Sequence, residues 1–230
     1  MSNTLAMKPA RAIHFDLRPF ACWIFLTIAC AAAHAQDIPG YPTNIDAYDP
    51  REVAMLPPYC PYTQLFRDKV PAGKNADEVA RWQAVLGATY QHMHHYCWGL
   101  MKTHRGVILA REQRVRQFYL QSAIEEFDYV IERAPAEFLL MPEILTKKGE
   151  NLVRLGKGPI AVFQFERAAE LKPDYWPPYA QMSDYYKGVG DSKKAREVLE
   201  QGLSFSPEAP ALKRRLAELE RGKGPVRASP

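Results

Sequence analysis

The sequence predicts an all-α protein: a short right-handed superhelix of antiparallel helix pairs, preceded by a long helix and a Pro/Tyr-rich extended arm. Three observations carry this. Between about Pro142 and Pro207, residue types recur at an offset of 34, pairing Pro173 with Pro207, Ala161 with Ala195, Gly156 with Gly190, Glu166 with Glu200, Phe165 with Leu199, Ala168 with Gly202 and Leu145 with Tyr179. Apolar residues elsewhere recur at steps of three and four, the period of a helix with one buried face. Prolines stand where helices must stop, since proline cannot continue the backbone hydrogen-bond ladder. Within the repeated unit, small residues let two helices approach, large ones fill the gap between neighbours, and the proline ends the second helix.

With 230 residues, 47% of them hydrophobic and 24% charged, the chain is long enough for a real core. The formal charge is +4, and residues 1–35 contribute Lys8, Arg11 and Arg18 against Asp16, leaving about +2 for the remainder. So even a balance excludes the clustered Lys/Arg face that nucleic acid calls for.

Residues 1–35 read as a secretory signal peptide. A moderately basic start leads into the apolar run Phe20–Ala33, too short to span a bilayer comfortably, and Ala33-His34-Ala35 fits a small-x-small cleavage site. The mature chain would then start at Gln36. Lipoprotein processing at Cys30, after Leu26-Thr27-Ile28-Ala29, and an uncleaved anchor are the alternatives. The bacterial character of the leader points to a periplasmic or secreted protein. Once Cys22 and Cys30 leave with the leader, Cys60 and Cys97 remain. In an oxidising compartment such a pair reads as a disulfide, with two separate thiols as the alternative.

Residues 36–75 are dense in Pro and Tyr, which excludes a long helix; one short turn is expected at Arg51–Leu56. This arm is expected to cover the first helix pair, the alternative being a peptide-like segment that occupies the protein's own groove. A helix then starts at Asn75, a capping residue followed by Asp77 and Glu78. Val79, Trp82, Leu86, Tyr90, Met93, Cys97 and Leu100 place one apolar face along residues 76–103.

The run Gln91–Trp98 holds three histidines. His92 and His95 fall about 60° apart on the opposite face, and an i, i+3 imidazole pair is a weak candidate for a metal. No acidic or cysteine partner stands at a spacing that completes a site, and the H-E-x-x-H and C-x-x-C-H patterns are absent. A Cys–His nucleophile needs an exposed thiolate, whereas Cys97 lies on the apolar face. No catalytic residue and no cofactor are therefore predicted, and an enzyme is not expected.

Ser122-Ala123-Ile124-Glu125 reads as a capping box, opening the second helix of a degenerate repeat at about His104–Pro135. Pro135 precedes Pro173 by 38 residues, so about four are inserted within residues 136–141. The second repeat pairs Pro142–Leu155 with Gly158–Leu171, and the third pairs Trp176–Gly188 with Ser192–Phe205. Residues 211–221 form an amphipathic end-cap, and 222–230 a disordered tail.

An offset of 34 with small, large, small and proline positions in this order resembles the tetratricopeptide repeat, a helix-turn-helix unit. The resemblance covers about residues 104–221 and is strongest at 142–207, where Tyr179, Met182, Ser183, Tyr186, Ala195, Leu199, Gly202 and Pro207 follow the family pattern. Lys148 and the stretch Val107, Ala110, Arg111, Arg114 depart from it. The resemblance implies that first helices line a groove for peptides or proteins. The groove positions are then Arg105, Glu112 and Arg116; Glu143, Thr146, Glu150 and Arg154; and Ala180, Asp184 and Lys187. The asparagines of the family's carboxylate clamp are missing. The expected function is an interaction adaptor of the cell envelope whose partners are other proteins or peptides, with self-association through Tyr175 and Trp176 also open. The rival is a metal-binding or redox protein built on the His92–Cys97 helix.

Overall fold

The computed structural model describes residues 48–221. The leader with Cys22 and Cys30, the start of the arm and the tail at 222–230 lie outside the described residues. Those described form an all-helical solenoid of helix pairs, entered through a strap of short turns.

The strap holds helix α1 (Pro50–Val53) and 3-10 turns at Cys60–Tyr62 and Phe66–Asp68. Asp49 opens α1, its carboxylate accepting from the Arg51 backbone N–H at 2.8 Å. Prolines keep the strap from growing long helix, and in place of a simply extended arm it folds into short turns with Val53, Tyr59, Cys60 and Phe66 all buried. They pack against Met93, Tyr96 and Cys97 in one cluster.

The single long helix expected over 76–103 is interrupted. Helix α2 (Ala76–Leu86) is capped by Asn75, whose side chain accepts from Asp77 N and Glu78 N. It stops at Gly87, whose φ of 58° lies in the left-handed region that glycine enters without steric cost. A 3-10 stretch (Gly87–His92) follows, then α3 (Met93–His104). The apolar stripe survives the break, since Leu86, Tyr90, Met93 and Cys97 are all buried.

Helix α3 runs into a π turn (Arg105–Leu109) and is followed by α4 (Gln113–Arg133). Here the structure corrects the first repeat. Ser122 opens nothing; it lies inside the 21-residue α4. The first helix of that repeat is α3, not a segment starting at His104. The packing shows why: Gly99 on α3 faces the Phe127 ring as Gly149 faces the Phe165 ring in the next repeat. The first pair is separated by twelve more residues than the second, which hides the repeat from a fixed offset.

Helices α5 (Met141–Arg154) and α6 (Gly158–Leu171), then α7 (Pro177–Gly188) and α8 (Ser192–Phe205), form the regular pairs, and α9 (Pro210–Arg221) closes the array. Ala161, Phe165, Ala168, Ala195 and Leu199 are each 0% exposed, as the small-large-small pattern requires. At Gly202 an added Cβ would come within 2.8 Å of both Leu212 and Tyr179, so only glycine allows this approach of α7, α8 and α9. Pro135, Pro173 and Pro207 each stand two residues past a helix end.

Candidate protein-interaction groove

The first helices of successive pairs, α3, α5, α7 and α9, contact one another in sequence. Polar side chains stitch them together along one face. The Tyr96 hydroxyl donates to Glu143 at 2.6 Å, and Asn151 donates to the Thr103 hydroxyl at 2.7 Å. Gln181 donates to Glu150 at 3.4 Å, and Arg215 grips Asp184 through Nε and Nη2 at 2.9 and 2.7 Å. Lys187 stands 3.9 Å from Glu218. Burial, and then the neighbouring Glu143 carboxylate, push the Tyr96 phenol well above its ordinary value, so it stays a neutral donor.

The expected groove residues divide on this face. Glu143, Glu150, Arg154, Asp184 and Lys187 lie on it, mostly engaged with one another or with Lys147, Gln181 and Arg215. Thr146 and Ala180 are each 1% exposed, and the Thr146 hydroxyl donates to the Pro142 carbonyl within its own helix. They are packing positions, a correction that follows from how closely α5 and α7 meet their neighbours. Arg105, Glu112 and Arg116 are corrected for another reason. With α3 as the first helix, Arg105 falls in the π turn, Glu112 at the N-cap of α4, and Arg116 on α4 itself. Arg105 is buried, donating from Nε and Nη2 to the Glu52 carboxylate of the strap at 2.9 and 2.8 Å.

Sequence reasoning missed the residues that α3 and the strap bring to the face. Leu100, Thr103 and His104 on α3 join Met55 and Leu56 of the strap, the π-turn residues Val107 and Ile108, and Lys147, Glu150 and Arg154 on α5 around a cavity of about 290 Å³. The available signal was Gly99: a glycine inside a helix costs about 1 kcal/mol relative to alanine and marks a close approach. The strap residues carried no such signal.

The histidine-rich segment is engaged in packing and ion pairs. His95 Nδ1 lies 2.5 Å from Glu126, whose other oxygen accepts from Lys102 at 2.5 Å. The His95 ring stacks on Tyr129 with centroids 3.6 Å apart, and His92 meets the same ring edge-on. Burial alone would raise the Glu126 carboxyl, but the hydrogen bonds from His95 and Lys102 outweigh it and hold the group below its ordinary value. His94 is buried with Nδ1 unbonded, and burial followed by the nearby His95 lowers it to about 4. Among the described residues no three His, Cys, Asp or Glu side chains gather where they could hold a metal ion. Cys97 is bonded to Cys60 across 5.7 Å between Cα atoms, and both are fully buried, so among the described residues no free thiol stands beside the histidines. No described helix is long and apolar enough to cross a membrane.

No model of a known protein family matches the chain. A curated relative, the Hsp70-Hsp90 organizing protein of Triticum aestivum, is 28% identical over 111 residues, covering 48% of this chain and 18% of the relative. The chain thus spans about a fifth of that protein's length. A solved structure titled as the first TPR of Spaghetti (RPAP3) bound to the HSP90 peptide SRMEEVD aligns with a TM-score of 0.40 and 17% identity, over 54% of this chain and 91% of that one. The repeat spacing, the paired helices and the partial sequence likeness together make the helical part of this chain tetratricopeptide-like.

Proposed function

We propose that the protein is an interaction adaptor that binds proteins or peptides on the face formed by α3, α5, α7 and α9. The observation that carries this reading is the cavity between the strap, the π turn and α5, where apolar walls adjoin Lys147 and Arg154. Concave apolar sites with a few convergent polar groups are where ligands bind. The curated relative is named for organising two other proteins, which supports binding over catalysis. The leader read from residues 1–35 and the Cys60–Cys97 pair support a secreted or periplasmic setting, in which the pair stays oxidised.

The test is capture of partners from the envelope fraction of the source cell, comparing the wild type with a Lys147→Glu/Arg154→Glu variant of unchanged urea midpoint. A partner retained by the wild type and lost by the variant supports the reading. A partner set indifferent to the variant places binding elsewhere and refutes the assignment.

A further inference from the structure

The cavity at the head of the first-helix face has a wall that does not come from a repeat. The strap supplies Met55 and Leu56, and the π turn supplies Val107 and Ile108. Met55 is 59% exposed and Ile108 63%, with Leu109 beside it at 55%. Apolar side chains gathered at the mouth of a concavity differ from scattered surface leucines; such patches mark interaction sites. A π segment in an otherwise α-helical run is also a frequent companion of function. Here it turns the backbone so that Val107 and Ile108 stand at the rim while Arg105 stays buried against Glu52.

We propose that this pocket takes a large apolar side chain of a partner peptide whose flanking residues are acidic, a refinement that rests on the interaction reading above. The charge arrangement selects the flanks. Lys147 and Arg154 share the Glu150 carboxylate, but that group is only 11% exposed while the two cations are 35% and 37% exposed. The carboxylate is turned inward and the cations outward. The pocket's second anion, Glu52, is 8% exposed and committed to Arg105. In sequence just after the π turn, Arg111 and Arg114 are exposed, with the exposed Glu112 between them. A peptide carboxylate beside the apolar anchor therefore meets two partly exposed cations that share one inward-turned carboxylate, a net positive charge, and a basic flank is repelled. An anionic lipid surface shares this chemistry, but a flat bilayer engages apolar residues on a protrusion, whereas these line a concavity.

The test is selection of a random-peptide display library against the disulfide-intact protein. The expected result is enrichment of one aliphatic or aromatic residue flanked by Asp or Glu. Binding of a synthesised hit should weaken about tenfold or more on Ile108→Ser, which removes the largest apolar side chain that the π turn sets at the rim. In the Lys147→Glu/Arg154→Glu protein, selection should shift to basic flanks. Ile108 is exposed, so its urea midpoint serves as the folding control. Hits without acidic flanks, or indifferent to Ile108→Ser but lost on Asp184→Lys, overturn the pocket while leaving the adaptor reading intact. Absence of any hit, together with no partner in the capture experiment, overturns both. Ile108-dependent sedimentation with phosphatidylglycerol vesicles that no hit competes for overturns the peptide in favour of lipid. A dimer that Ile108→Ser dissociates, with no peptide selected, overturns it in favour of a second copy.

Discussion

Replacing Glu52 with Gln tests whether the strap is part of the folded architecture or a loosely applied cover. The Arg105 guanidinium donates to both Glu52 oxygens, and the two side chains are 5% and 8% exposed. Removing the anion from a buried pair costs about 3–5 kcal/mol, because the remaining charge stays desolvated. Glutamine keeps one acceptor oxygen, so the lower end, about 3 kcal/mol, applies. The strap sets a ceiling on this number. If residues 48–59 swing out while the Cys60–Cys97 bond holds the rest, global unfolding reads only the free energy of that local opening. Two assays separate the cases: urea midpoints for Glu52→Gln, Arg105→Met and the double variant, and limited proteolysis across residues 50–58. Global coupling predicts a double variant more stable than the sum of the singles by about 2 kcal/mol. Local opening predicts a smaller shift with a new cleavage site near Met55. A Glu52→Gln protein with a loss under about 1 kcal/mol and no new cleavage would refute the reasoning.

Other consequences follow from the same packing. Reducing the disulfide, which closes a loop of sequence separation 37, should cost about 3–4 kcal/mol on a chain-entropy basis, read as a urea midpoint with and without dithiothreitol. The untreated denatured protein should show no reactive Cys60 or Cys97 in a thiol count, and reactive thiols there would place the two cysteines apart in solution. Gly149→Ala puts a Cβ 2.3 Å from Phe165 Cε1, so in place of the usual helical gain it should destabilise by about 1–3 kcal/mol. Phe165→Leu, matching Leu199 in the next repeat, should recover part of that loss; a neutral Gly149→Ala would contradict the contact. His94, held at about 4 against an ordinary 6.5, binds more protons unfolded than folded between those values. Stability is then full above about pH 6.5 and falls toward pH 4, by about 2–3 kcal/mol. His92 is lowered for the same first reason, burial, and adds in the same direction. His94→Gln should flatten this slope in pH-dependent urea titrations, and an unchanged slope would exclude His94 as its source.

Much of the fold was legible because the repeat writes packing into spacing. Ala161, Phe165 and Ala168 recur as Ala195, Leu199 and Gly202 because each repeat makes the same helix crossing, and each proline marks the same helix end. The first repeat escaped because Gly99 and Phe127 are pushed apart by the long α4 and the π turn, which no fixed offset anticipates. Gly87 was present in the sequence, but a single glycine does not announce that it will take a left-handed φ when the apolar stripe continues past it. The first-helix face was legible only where the register held: of the expected groove positions, Glu143, Glu150, Arg154, Asp184 and Lys187 lie on it, while Arg105, Glu112 and Arg116 fall elsewhere.

The sequence by itself determined the helical class, the repeat and its helix ends, because those depend on local spacing and on what proline and glycine permit. Only the tertiary structure decided which charges remain open to a partner. Glu150, Lys147 and Arg154 look alike as letters; burial of one carboxylate between two cations makes the outward side positive. Only the tertiary structure, too, made the strap a wall of the pocket. Glu52 and Arg105 are 53 residues apart in the chain, and nothing local to either one specifies the contact that their shared burial requires.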